Sequence, residues 1–178
     1  MRRILHFESR RQPVASQSVF LGRLSRNAVY SVGFVALSLL VGTPVGISLP
    51  TMPIPKRIIP ARFGDARGWF TESYSRRRLA ELGIADDFVQ DNHSFSAARG
   101  TLRGLHFQTP PHGQAKLVRC LAGAIWDVAV DLRAGSPTYG KWVGCELTTA
   151  GGEQLYVPIG FAHGFVTLTD NVEVAYKT

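Results

Sequence analysis

Cysteine and methionine each occur only twice in the 178 residues. Two cysteines cannot frame a disulfide-dense scaffold, and Cys120 and Cys145 show neither a CxxC pair nor any other metal-ligand spacing. Both sit inside apolar, β-like runs, so they read as buried free thiols in a reducing compartment, with a disulfide as the alternative. There is no internal repeat and no low-complexity tract beyond the N-terminal leader, which excludes solenoids and arrays. Helix signals are also scarce: the only clear one is Arg76 to Leu82, with Ser75 placed to cap it and Gly83 to close it.

Acidic residues are in short supply, 13 against 20 basic ones, giving a formal charge of +7. That excess is local. Residues 1–27 carry Arg2, Arg3, Arg10, Arg11, Arg23 and Arg26 against Glu8 alone, or +5 of the total, and the remainder is only +2. The high pI therefore describes the leader, and no RNA- or DNA-binding signature appears, so a nucleic-acid partner is not expected. Ala28 to Leu49 then runs for 22 residues without a charge, long enough to span a bilayer or to act as a signal anchor. Gly33, Gly42, Pro44 and Gly46 weaken any helix there. Met52 opens a fresh segment. Two readings of residues 1–51 stand side by side: an extension of the real domain from an early start codon, or a membrane anchor or export signal. The first is preferred, with a cytoplasmic protein as its consequence; membrane association follows only if 28–49 is a true anchor.

From Lys56 onward the chain is dominated by short β-like runs. Lys56 to Phe63 reads as a first strand, Gly64 to Gly68 as a loop, and Trp69 to Tyr74 as an aromatic strand. After the helix come Phe88 to Ser96, Leu102 to Gln108, Ala115 to Leu121, Ile125 to Leu132, Lys141 to Thr148, Gln154 to Val157, Gly164 to Thr169 and Val172 to Lys177. Turn clusters such as Pro110-Pro111-His112-Gly113 and Ala134-Gly135-Ser136-Pro137 separate them. Regular short strands with Gly and Pro punctuation argue an all-β sandwich or barrel, of which the double-sheet jelly roll is one form.

The stretch Thr101-Leu-Arg-Gly-Leu-His-Phe-Gln108, with Lys116-Leu-Val-Arg119, joins an arginine, a histidine and a lysine on two adjoining strands. Such groups on the walls of an apolar barrel suit an anionic substrate that must lose a proton from carbon. In an ideal strand Arg103 and His106 face opposite ways, because side chains alternate with period two. Gly104 is a natural bulge site, and a bulge there turns both toward one cavity; the alternative leaves Arg103 facing solvent. Taken singly, His106 also reads as a hydrogen-bonded structural histidine, Tyr176 as packing, and Lys116 as a solvated strand edge.

The ordered motifs go further. Gly64-Asp-Ala-Arg-Gly-Trp-Phe-Thr-Glu-Ser73, Phe88-Val-Gln-Asp-Asn-His-Ser94, Leu102-Arg-Gly-Leu-His-Phe-Gln108, Lys116-Leu-Val-Arg-Cys120, Trp126-Asp-Val-Ala-Val-Asp-Leu-Arg133, Ser136-Pro-Thr-Tyr-Gly-Lys-Trp142, Pro158-Ile-Gly-Phe-Ala-His-Gly-Phe165 and Tyr176-Lys177 follow one another over the domain. In this set the segment from residue 54 to 178 resembles the dTDP-4-dehydrorhamnose 3,5-epimerase family, a cupin-type jelly roll. The resemblance implies a double-stranded jelly-roll barrel over residues 52–178 with one short helix, preceded by the hydrophobic extension 1–51. It implies cofactor-independent conversion of dTDP-4-dehydro-6-deoxy-D-glucose to dTDP-4-dehydro-L-rhamnose, for cell-surface polysaccharide. His106 would be the base at carbons 3 and 5, Lys116 the cation beside the enolate oxygen, and Tyr176 the acid on the opposite face. Arg67, Glu72, Gln90, Asn92, Arg103 and His163 match nucleotide-sugar-binding positions, some reaching across a homodimer interface. An enzyme acting at a single centre, or a catalytically impaired nucleotide-sugar-binding jelly roll, are the alternatives.

No metal or organic cofactor is implied, because the 4-keto group itself acidifies the neighbouring C–H bonds. Pro158-x-Gly160-x-x-His163 matches the second cupin motif, whose histidine ligates metal in other branches, but Gln108 stands where a His-x-His pair would need its second histidine. The resemblance also implies a C-terminal tail beyond Thr178, holding a base-stacking tyrosine and a carboxylate that orients the catalytic histidine. The expectation for a chain without it is reduced catalysis and an unpaired barrel edge.

Overall fold

The computed structural model describes residues 52–178, and the extension 1–51, including the apolar 28–49 stretch, lies outside the described residues. Eleven strands and one helix follow in order: β1 (Lys56–Ile58), β2 (Arg62–Asp65), β3 (Gly68–Thr71), α1 (Arg76–Glu81), β4 (Asp91–Ser96), β5 (Leu102–His106), β6 (Lys116–Ala122), β7 (Ala124–Asp131), β8 (Trp142–Thr148), β9 (Gln154–Val157), β10 (Phe161–Thr167) and β11 (Val172–Lys177). They form a five-stranded sheet in the order β1-β9-β6-β11-β4, a four-stranded sheet in the order β5-β10-β7-β8, and a β2-β3 hairpin. Every pairing is antiparallel. This is the double-sheet jelly roll expected from the spacing of the runs.

The alternation of each strand puts its apolar residues between the sheets. Ile125 and Ala129 from β7, Leu147 from β8 and Phe161 and Phe165 from β10 meet Val118 and Cys120 from β6, Leu155 and Val157 from β9, and Val172 and Val174 from β11. A second cluster covers the outer face of the five-stranded sheet, where Leu79 and Ile84 at the end of α1 pack on Leu117 and Tyr156. Burying such side chains contributes about 1.5–3 kcal/mol each. The outer face of the four-stranded sheet has no such cover among the described residues. Trp126 (39% exposed) lies against Gly144 there, and Trp142 is 63% exposed.

Several local expectations need correction. The strand expected from Gly164 to Thr169 is β10, which begins earlier, at Phe161, and so includes His163. The first expected strand is two: Pro60 lacks an N–H for a ladder, and β1 ends at Ile58 before β2 begins at Arg62. The expected loop 64–68 is instead the tip of the hairpin, with Asp65 opposite Gly68. Ser75 has the extended backbone of an N-cap, but its side chain makes no capping bond. The helix is held instead at its C-terminus. Gly83 (φ 73°) donates to Ala80 and Ile84 to Leu79, while the Leu79 and Ile84 side chains share the second cluster, which together form a Schellman ending.

Candidate active site

A cavity of about 320 Å³ opens between the two large sheets. From the four-stranded sheet and the segment after β5 it takes Arg103, His106, Phe107, Gln108, His163 and Phe165; the five-stranded sheet and its approaches add Gln90, Asn92, Ser94, Lys116 and Tyr176. His106 and Tyr176 thus stand on opposed walls. Tyr176 follows Val172 and Val174 at period two, so its ring continues the inward face of β11 and packs on the main core.

The register of β5 brings Arg103 and His106 together. On β10, His163 pairs with His106 and Phe165 with Arg103, so two residues of β5, Gly104 and Leu105, oppose the single Gly164. This is the bulge expected at Gly104. Its φ is +120°, and a Cβ there would lie 2.6 Å from Gly164 Cα and 2.8 Å from the His163 carbonyl oxygen. Only glycine fits, and both neighbouring side chains reach the cavity because of it.

Charge on the walls is predominantly positive. Arg103 is tied to β4, Nε donating to Ser96 Oγ at 2.9 Å and Nη2 to the Phe95 carbonyl at 2.8 Å. Burial holds the Lys116 ammonium below its usual pKa, and the negative charge of Asp127 partly offsets this. Asp127 is fully buried on the inward face of β7 and bonds His163 Nε2 at 2.6 Å. Gln90 Nε2 donates to Asn92 Oδ1 at 2.6 Å, forming a small amide platform at the edge of the cavity.

Seven of the nine expected site residues therefore line one cavity: His106, Lys116, Tyr176, Gln90, Asn92, Arg103 and His163. Arg67 and Glu72 do not. Arg67 sits at the hairpin tip and is engaged with Asp65, and Glu72 pairs with Arg78 Nε at 2.9 Å. Sequence reasoning missed Asp127, Gln108 and Gln114. The signal for Asp127 was available: it holds an inward position between Ile125 and Ala129, where an unpaired carboxylate has no place. Among the described residues no group of three or more His, Cys, Asp or Glu side chains is arranged to hold a metal.

With that geometry in hand, comparison with known proteins is decisive for ancestry. The sequence model for dTDP-4-dehydrorhamnose 3,5-epimerase matches residues 52–178. The chain belongs to the dTDP-4-dehydrorhamnose 3,5-epimerase family. It is 55% identical over 126 residues to the dTDP-4-dehydrorhamnose 3,5-epimerase of Sinorhizobium fredii, covering 68% of this chain and 63% of that one. Among solved structures, the Bacillus anthracis epimerase with TDP and PPi bound superposes with a TM-score of 0.68 at 53% identity, over 69% of this chain and 70% of that chain. The Legionella pneumophila epimerase in complex with dTDP-4-keto-L-rhamnose gives 0.66 at 52% identity, over 69% and 65%. The chain thus spans a little under two thirds of the length of the Sinorhizobium relative.

Proposed function

We propose that residues 52–178 form an epimerase domain that inverts carbons 3 and 5 of dTDP-4-dehydro-6-deoxy-D-glucose. The observation that carries this reading is the opposition of His106 and Tyr176 across one cavity, with the Lys116 cation on the same wall as the tyrosine. The neutral imidazole accepts a proton from the carbon beside the ketone. The electrons move onto the ketone oxygen, where Lys116 stabilises the enolate. The Tyr176 phenol donates its proton from the other face, inverting the centre. Arg103, His163, Gln90 and Asn92 hold the nucleotide sugar, and the positive walls suit its diphosphate.

The partner in this reading is a second copy of the chain. Arg67 sits at the tip of a hairpin and Glu72 directly follows it; Phe63, Trp69 and Phe70 of that hairpin are exposed, and the outer sheet face bears Trp126 and Trp142. Packing two such faces together buries this apolar surface and lets one copy's hairpin approach the other's cavity. The free thiols Cys120 and Cys145 fit a reducing cytoplasm. Among the described residues no helix is long and apolar enough to cross a membrane.

Incubation with the 4-keto sugar in heavy water tests the reaction. Deuterium is expected at both carbons with the parent protein and at neither with His106→Ala. Exchange at one carbon alone would make it a single-centre epimerase. Undiminished dTDP binding with no exchange in the parent would reduce it to a binding module.

A further inference from the structure

We propose that Asp127 is a positioning residue of this site, fixing which nitrogen of His163 faces the cavity and supplying the counter-charge for Lys116. The chemical purpose rests on the epimerase reading above; the geometry does not. Asp127 has no exposed surface; His163 on β10 bonds it, Cys145 on β8 is its cross-strand partner, and from the opposite sheet Lys116 on β6, also a cavity-lining residue, feels its charge. A carboxylate can only accept a hydrogen bond, so the 2.6 Å contact requires the proton on His163 Nε2. In the neutral ring, Nδ1 is then the lone-pair nitrogen, and His163 offers the cavity an acceptor for a sugar hydroxyl.

The second oxygen, Oδ2, accepts no hydrogen bond among the described residues. An asparagine would satisfy the histidine with less desolvation, so a hydrogen bond to His163 does not by itself account for a buried carboxylate. The negative charge accounts for it. Lys116 loses solvation in the same interior and must remain an ammonium to stabilise an enolate; Asp127 is the opposite charge that favours the protonated form. Removing that charge while keeping the side-chain shape leaves Lys116 easier to deprotonate.

Protein labelled with 15N-histidine and 13C-lysine is titrated by NMR, with His163→Gln and Lys116→Met to assign the signals. In the parent, neutral His163 should carry its proton on Nε2. A majority Nδ1–H form would overturn the proposal without any variant being needed. In Asp127→Asn, the Lys116 titration should move to lower pH, and the alkaline limb of kcat should move the same way. An unmoved Lys116 would also overturn it. If the parent shows no deuterium exchange yet Lys116 still moves, the epimerase reading falls and the positioning role stands. If exchange is intact and Lys116 does not move, only the positioning role falls.

Discussion

Gly104→Ala probes the link between backbone and chemistry most sharply. The new Cβ would stand 2.6 Å from Gly164 Cα and 2.8 Å from the His163 carbonyl oxygen, both backbone atoms of the central strand β10 that cannot rotate away. At φ +120° the alanine also occupies a region nearly closed to L-residues, costing about 1–3 kcal/mol. Forcing β5 from β10 adds overpacking of about 1–3 kcal/mol. The expected loss is thus about 2–6 kcal/mol, a fall of roughly 0.7 M or more in the urea midpoint for a slope of about 1–3 kcal/mol/M. Gly135→Ala is the control: φ is +79° there, but nothing lies within 4 Å of the added carbon, so only the conformational cost of about 1–2 kcal/mol applies. Deuterium exchange into the 4-keto sugar, measured on the folded fraction, should collapse in Gly104→Ala and persist in Gly135→Ala. If Gly104→Ala kept the parent's midpoint and exchange rate, the claim that this bulge aims Arg103 and His106 would be wrong.

Other outcomes follow from the same architecture. Asp131, held by Arg133, Ser136 and Thr138, has its pKa pushed far below the carboxylate range, chiefly by the Arg133 guanidinium. Because the folded value lies below the unfolded value of about 3.9, its stabilisation is fully present above that pH and is lost as pH falls below it. Asp131→Asn should cost about 3–5 kcal/mol at neutral pH and flatten the acid dependence of the urea midpoint; an unchanged acid profile would refute this. Cys145 is pushed up to about 12 by burial, with Asp127 adding to the effect, so its thiol stays protonated at pH 8. Iodoacetamide should label it only on unfolding, as read by mass spectrometry, and rapid native labelling would contradict that. Leu147→Ala in the main core should destabilise by about 2–5 kcal/mol in urea melts.

Much of this fold is legible in the sequence. The runs from Leu102 to Lys177 became strands because period-two burial is written directly into residues such as Ile125, Ala129, Leu147, Val172 and Val174. The glycine between Arg103 and His106 announced a bulge, since two functional side chains of opposite parity need one to share a cavity. What the sequence could not show was pairing across distance. Asp127 and His163 are 36 residues apart, and their contact exists only because β7 and β10 lie side by side. The uncapped Ser75 was missed for a related reason: Gln154 donates to the Ser73 carbonyl, so a tertiary partner sets the entry to the helix. The break at Pro60 was different, because its missing N–H is a local signal that one continuous strand from Lys56 to Phe63 overrode. Arg67 and Glu72 matched a motif, but motif membership says nothing about whether a residue reaches its own cavity or another's.

The most direct test is a crystal structure of this chain with a dTDP-hexose bound. The His106 imidazole and the Tyr176 phenol should lie on opposite faces of the sugar ring, each within about 3–3.5 Å of its proton-transfer partner, with Lys116 at the carbon-4 oxygen. Both rings on one face, or the sugar outside the space between the two sheets, would contradict it.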